Sequence, residues 1–214
     1  MSRHRHAEAY AAVVLSGAYE ECGNAGRFRA DPGDVLIHAP FDAHLDRIGP
    51  GGAQVLNLAL PSLPLAGKGR IADPDAVARL AALSPARAAE ELLRQWQPVA
   101  EPADDWPDRL ARSLRRDPNI RLDDWAAAHN LAPETLSRGF ARVFGISPSA
   151  YRLESRAARA YSAIAGSLRP LVEIALATGF ADQAHMTRAV RRLTGLPPGR
   201  WRSSPFKTRA VARH

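Results

Sequence analysis

Short apolar runs alternate with turn residues along the first 60 or so residues of the chain. Four of these runs, at 10–15, 27–29, 35–37 and 54–60, have the length and composition of β-strands. The sequence Asp-Pro-Gly-Asp at 31–34 lies between the second and third runs and is a strong turn signal. This pattern predicts a small β-barrel or β-sandwich at the start of the chain.

Helical spacing replaces the strand pattern after residues 61–69, a stretch rich in Pro and Gly that we interpret as a linker. Asp73 and Ser84 each precede a proline, so each is predicted to cap a helix, and the two helices extend to about residue 97. Their apolar stripes comprise Val77, Leu80 and Leu83, then Ala88, Leu92, Leu93 and Trp96. These stripes either pack on the barrel or form a homodimer interface, since little nearby chain is available to bury them.

Residues 122–144 have the pattern of a helix-turn-helix unit. A first helix is predicted at about 123–129, and Asn130 suits the left-handed conformation of a turn. The second helix begins at Pro133, and its inward stripe comprises Leu136, Phe140, Val143 and Phe144. The outward face carries Glu134, Ser137, Arg138, Ala141 and Arg142. A second helix with a polar, arginine-bearing face can enter the major groove of DNA.

A second copy of this pattern follows, with a short apolar helix at 171–177 and a turn at 178–180. Asp182 is predicted to cap the next helix, whose inward stripe comprises Met186, Val190 and Leu193. Its outward face carries Gln183, Ala184, Thr187, Arg188 and Arg191. Between the two copies, Ser147 and Pro148 open a long helix of about 28 Å. This length is close to the roughly 34 Å between successive major-groove faces, so one chain could place both second helices in adjacent grooves.

The net charge of +7 lies entirely in the second half of the chain. Residues 118–214 contain 15 Arg and Lys against 6 Asp and Glu, whereas residues 1–117 contain 14 against 16. Arginine supplies nearly all of the excess, and its planar fork suits phosphate and guanine. A hydrophobic content of 46% and a charged content of 24% are typical of a folded globular protein. The single cysteine excludes an intramolecular disulfide and fits the cytoplasm, and no run is long enough for a transmembrane helix.

Three segments resemble the AraC/XylS family of transcription regulators: LSRGFARVFGISPSAY at 136–151, IALATGFADQAHMTR at 174–188, and GLPPGRWR at 195–202. The resemblance extends over about 100 residues and implies that the second helix of each unit contacts bases. The implied base readers are Glu134, Ser137 and Arg138 in the first unit, and Gln183, Ala184, Thr187 and Arg188 in the second. The chain departs from the family pattern at Gly139, where a larger residue is usual, and at Val190, where phenylalanine is usual.

The N-terminal region resembles a shortened cupin domain. His4, His6 and Gly17 match the first cupin motif, with Tyr10 in place of its glutamate, and the segment from Gly33 to His44 resembles the second motif. The resemblance implies a sensor domain, with a small organic molecule as a possible effector.

His4, His6 and His44 are weak candidates for holding a divalent metal. We expect no metal and no other cofactor, because the motif lacks its carboxylate, Arg3 and Arg5 alternate with the histidines, and chain termini often fray. His38 is expected on the barrel surface. Cys22 is expected in a turn, without a redox role.

The sequence therefore predicts an α+β protein in four parts. These are a cupin-like barrel at 1–65, linker helices that are a candidate dimerisation region at 66–103, an all-α domain with two helix-turn-helix units at 104–205, and a disordered tail at 206–214. The predicted function is sequence-specific binding of double-stranded DNA by a cytoplasmic regulator that is not an enzyme. Two alternatives stay open: a metal-dependent cupin enzyme tethered to a DNA-binding module, and a nonspecific DNA-compacting protein.

Overall fold

The computed structural model describes residues 2–60, 66–99, 105–117 and 119–202. The predicted tail at 206–214 and residues 61–65 of the predicted first linker lie outside the described residues. The chain divides into two compact units: unit 1 comprises Met1–Asp108 with Arg142–Gly145, and unit 2 comprises Arg109–Ala141 with Ile146–His214. None of the described helices combines the length and the apolar character needed to cross a membrane.

Strands dominate the first part of the chain and helices the rest, which confirms the predicted α+β class. The strands are β1 (His4–Arg5), β2 (Tyr10–Gly23), β3 (Gly26–Ala30), β4 (Asp34–His38), β5 (Ala43–Ala59), β6 (Gly67–Arg70) and β7 (Gln97–Pro98). The helices are α1 (Pro74–Leu83), α2 (Pro85–Gln95), α3 (Trp106–Arg116), α4 (Leu122–Ala128), α5 (Pro133–Phe144), α6 (Pro148–Gly166), α7 (Leu171–Ala177), α8 (Gln183–Thr194) and α9 (Pro198–Arg202).

A single antiparallel sheet is built around the long strand β2. Its strand order is β1-β5-β2-β4-β6-β7, and β3 pairs with the second half of β2 while β4 pairs with the first half. Among the described strands the order ends at β1 and β7, so the sheet is a half-barrel. The predicted turn at 31–34 is confirmed, because the amide of Asp34 donates to the carbonyl of Asp31 over 2.9 Å.

Strand β2 is longer than the predicted run at 10–15 because it continues through Gly17 to Gly23. The register with β5 shifts on either side of this residue, which is the signature of a β-bulge. Gly17 has φ +71°, and a Cβ at this position would lie 2.2 Å from the carbonyl oxygen of Gly52. Glycine therefore permits a bend in the strand where a side chain would clash, and the bend brings both ends of β2 towards the same interior.

Helices α1 and α2 begin as predicted, with side-chain caps from Asp73 and Ser84. Their stripes pack on the sheet within unit 1. Val77 and Leu92 are fully buried in a cluster with Val13 and Ile37, and Trp96 packs against the same cluster. The stripes are therefore largely covered within unit 1, as the packing alternative predicted, but Leu83 is 85% exposed and does not share in this packing.

Two further residues differ from expectation. Cys22 is not in a turn but pairs with Leu45 and Arg27 inside the sheet, where its side chain is buried. His38 does end a strand, but it is 3% exposed rather than on the surface. Cys22 belongs to β2 and His38 to β4, which pairs with β2, and the curvature of the sheet encloses positions that a flat sheet would leave open.

Candidate nucleic-acid interface and histidine cluster

Helices α4 and α5 form the first helix-turn-helix unit, close to the predicted bounds. Asn130 takes the left-handed conformation, with φ +54°, as its residue type predicts. The amide of Leu131 then donates to the carbonyl of Ala126 over 2.9 Å and closes the turn. The ring of His129 stacks on the buried ring of Trp125 with 3.7 Å between centroids, and this contact stabilises the end of α4.

The two faces of α5 separate as predicted. Leu136, Phe140 and Phe144 are buried, and Val143 is half-buried. The predicted DNA-contacting residues of this helix are all exposed: Glu134, Ser137, Arg138 and Arg142. Because the apolar face is used for packing, the exposed face is available to a ligand.

Helices α7 and α8 form the second unit. The Thr178 hydroxyl donates to the carbonyl of Ile174 over 2.6 Å at the end of α7, and Gly179 adopts φ +83° in the turn. Asp182 caps α8 as predicted, because its carboxylate accepts from the amide of His185 over 2.7 Å. The inward stripe of Met186, Val190 and Leu193 is buried.

The outward face of α8 carries the predicted readers of the second unit. Gln183, Ala184, Arg188 and Arg191 are exposed, and Thr187 is half-buried. Sequence reasoning did not include Arg192, which is also exposed and belongs to the last turn of this helix. Its position next to Arg191 is the feature of the sequence that could have identified it as a candidate contact.

Arginines on the two second helices differ from two arginines of α6, Arg152 and Arg159, in what they contact. Within the described part of the chain, no carboxylate pairs with Arg138, Arg188, Arg191 or Arg192. Arg152 and Arg159, by contrast, donate to the backbone carbonyls of Ile120 and Arg115 and hold the helices together. Burial also lowers the pKa of Arg159. Some arginines of unit 2 therefore stabilise the fold, and others are available to an anionic partner.

Comparison with known proteins matches residues 125–204 to the family described as a helix-turn-helix domain. The HTH-type transcriptional regulator ExsA of Pseudomonas aeruginosa is 31% identical over 90 residues, which are 42% of this chain and 32% of that protein. The virulence regulon transcriptional activator VirF of Yersinia enterocolitica is 30% identical over 88 residues, covering 41% of this chain and 32% of that protein. The C-terminal region is an AraC-type helix-turn-helix domain.

The chain spans about a third of the length of the two relatives. Among solved structures, unsaturated fatty acid-bound ToxT from Vibrio cholerae aligns with 100% of this chain and 92% of that chain. Its TM-score is 0.47 and its sequence identity is 10%.

A second group of chemically active side chains lies in the half-barrel of unit 1. His4, His6 and His44, the three weak metal candidates, offer ligand atoms that lie within 4.8 Å of one another. His4 belongs to β1 and pairs with His44 in the register of β5, so this part of the terminus is tied to the sheet. The argument that the terminus frays is therefore wrong for His4, while His6 follows the strand and is exposed.

Sequence reasoning missed two further members of this group, Glu21 and His38. Together with His44 they form a second set of three ligand atoms within 4.8 Å of one another, and all three side chains are buried. The Nε2 atom of His38 lies 3.4 Å from a carboxylate oxygen of Glu21. The three residues come from β2, β4 and β5, so only the bend of β2 brings them together.

The electrostatic environment of the two buried histidines differs. Burial, with the neighbouring His38 and His4, lowers the pKa of His44 to about 3, so that its ring is neutral near pH 7. For His38, burial disfavours the charged ring, but the charge and hydrogen bond of Glu21, together with the charges of Asp42 and Asp46, outweigh this effect and raise the pKa. The cluster thus contains one neutral imidazole, that of His44, and a second imidazole, that of His38, whose charged form a neighbouring carboxylate favours.

Proposed function

We propose that the protein is a sequence-specific DNA-binding transcription regulator whose helices α5 and α8 read bases in the major groove. The observation that carries the proposal is the repeated arrangement of a buried apolar face and an exposed arginine-bearing face on the second helix of two helix-turn-helix units. Arg138 and Arg188 hold corresponding places in these helices, and both are exposed without a carboxylate partner among the described residues. We infer that each donates to a guanine edge, the commonest specific contact of arginine.

The 19 residues of α6 support simultaneous engagement of both helices by one chain. A helix of this length spans about 28 Å, which suits two units placed in successive major grooves about 34 Å apart. Glu134, Ser137 and Arg142 on α5, and Gln183, Ala184, Thr187 and Arg191 on α8, are the remaining proposed contacts. We place the protein in the cytoplasm with the DNA, and we assign it no enzymatic activity.

Footprinting followed by competition between selected and random DNA tests this proposal. A bounded site of about two helical turns is expected, and uniform protection would instead indicate a DNA-compacting protein. Arg138→Ala and Arg188→Ala should each weaken binding at the selected site by about 1–3 kcal/mol and relax base preference at one position. The control is Arg94→Ala, since Arg94 lies on α2 in an ion pair with Glu91 and should leave binding unchanged. Equal losses on selected and random DNA would show that these arginines contact phosphates only.

We also propose that a small organic effector binds unit 1. A solvent-connected cavity of about 510 Å³ lies in this unit, within the range of small-molecule sites, and Tyr19, Arg29 and Arg47 contribute to its lining. Arg29 pairs with Asp31, and Arg47 pairs with Glu20, which also lines the cavity, so the lining suits a polar molecule that can both donate and accept hydrogen bonds. Such a compound should shift the unfolding midpoint of the protein and alter its affinity for the footprinted site.

A further inference from the structure

The buried cluster of Glu21, His38 and His44 combines the donor types that a transition metal uses. Two imidazoles and a carboxylate form a common protein ligand set for zinc and for other first-row divalent metals. The carboxylate also offsets part of the ion's charge, which lowers the cost of burying a cation. We expected no metal partly because Tyr10 replaces the carboxylate of the motif, and Glu21 supplies a carboxylate from another part of the same strand.

The geometry requires only a small adjustment to coordinate an ion. Ligand atoms around a tetrahedral ion with bonds of about 2.1 Å lie roughly 3.4 Å apart. The separation of Nε2 in His38 and the carboxylate oxygen of Glu21 is 3.4 Å, and all three ligand atoms lie within 4.8 Å of one another. Among the described residues, Nδ1 of His44 is buried without a hydrogen-bond partner, whereas Nε2 of His38 is buried beside the Glu21 carboxylate. Leaving Nδ1 of His44 unpaired costs free energy that a bound metal would recover.

Tyr10 holds both imidazoles in place. Its ring stacks on His38 with 4.4 Å between centroids and an interplanar angle of 15°. Its hydroxyl lies 3.2 Å from Nε2 of His44, which leaves Nδ1 of that ring for a ligand. Outer partners of this kind orient the rings of metal-binding histidines. Gly23 allows the close approach of β5, because a Cβ there would lie 2.9 Å from the Cβ of His44.

We propose that Glu21, His38 and His44 bind a divalent first-row transition-metal ion inside the half-barrel. This set differs from the His4, His6 and His44 set that the cupin resemblance suggests, and it shares only His44 with it. We favour the buried set because it contains the carboxylate and all three of its side chains are buried, whereas His6 is exposed and flanked by an arginine. The site lies in unit 1, and the proposal does not depend on DNA binding.

The test is a titration of the full-length, chelator-treated protein with Co²⁺, followed by its visible absorption and by displacement with Zn²⁺. Stoichiometric binding is expected. Glu21→Gln and His38→Gln should each weaken it by more than the roughly 10–100-fold that loss of an outer partner costs. His6→Ala and His129→Gln, the matched histidine controls, should retain binding. Absence of stoichiometric binding, or loss of binding in His6→Ala with retention in Glu21→Gln, would overturn the proposal.

A measurement on the unaltered protein covers the case in which a core variant does not fold. X-ray absorption of the Co²⁺-bound wild type distinguishes two imidazoles with a carboxylate from three imidazoles. The first result supports the proposed ligands, and the second excludes them. Co²⁺ should also raise the unfolding midpoint of the wild type, because an ion that binds only the folded state stabilises it.

Discussion

The ring of Phe140 packs edge-on against the ring of Tyr151, with 5.3 Å between their centroids. This contact joins α5 to α6, and both side chains are fully buried. The Tyr151 hydroxyl accepts a hydrogen bond from Arg115 of α3 over 3.0 Å, so three helices meet at one aromatic pair. The orientation of the proposed base-reading helix therefore depends on its inward face as well as on its exposed residues.

Phe140→Ala should destabilise the AraC-type domain by about 3–5 kcal/mol, because it removes a buried ring and leaves a cavity. Denaturant unfolding measures this change. Arg138→Ala, two residues earlier on the exposed face, is the matched control and should change stability by no more than about 0.5 kcal/mol while weakening specific DNA binding. Equal stability in the two variants would contradict the assignment of the faces of α5.

Arg192 should contribute to the salt dependence of DNA binding without affecting base preference. Each phosphate contact lowers log K by about 0.9 per tenfold rise in salt, so Arg192→Gln should reduce the slope by roughly that amount. Binding of the full-length protein at several salt concentrations gives the slope. Arg94→Gln, which alters an arginine of α2, should leave it unchanged, and a changed base preference in Arg192→Gln would assign Arg192 to base contacts instead.

Cys22 should react slowly with alkylating reagents in the folded protein. Burial, reinforced by the charge of Glu20, raises the pKa of its thiol to about 12. At pH 8 the thiolate fraction would then be on the order of 10⁻⁴, against about a tenth for a thiol with the ordinary pKa of 9.0. Iodoacetamide labelling in native buffer and in urea compares the two states. Similar rates in both would mean that the thiol is accessible in the folded protein.

The same thiol should make folding sensitive to alkaline pH. Because the folded-state pKa of Cys22 is raised, its contribution to stability is present below the ordinary value of 9.0 and declines between that value and about 12. The difference in unfolding free energy between the wild type and Cys22→Ala should therefore shrink as the pH rises through this range. A constant difference would indicate that the thiol has the same pKa in both states.

Leu92→Ala should destabilise unit 1 by about 2–5 kcal/mol rather than dissociate an oligomer, because Leu92 is fully buried among the sheet and helix side chains. Leu83→Ala, at a position that is 85% exposed, is the control and should change stability little. Thermal unfolding measures the stability of each variant, and sedimentation measures its association state. A stable Leu92→Ala protein whose sedimentation changes would restore the homodimer interpretation of this helix.

The sequence by itself determined the helical units. The caps at Asp73, Ser84, Ser147 and Asp182 and the left-handed turn at Asn130 all appear where residue type predicted them. The faces of α5 and α8 were also predictable, because a period of 3.6 residues links neighbours three and four positions apart. Contacts of this range are encoded in consecutive residues, and no distant partner is needed to recognise them.

Only the tertiary structure decided which residues meet inside the half-barrel. Glu21, His38 and His44 lie on three strands, and their proximity depends on the bulge at Gly17 and on the register of β2 with β5. The burial of Leu92 likewise depends on the sheet that covers it. Alternation along a strand indicates which residues share a face, but the curvature of the sheet and the pairing of distant strands determine which of those residues come within bonding distance.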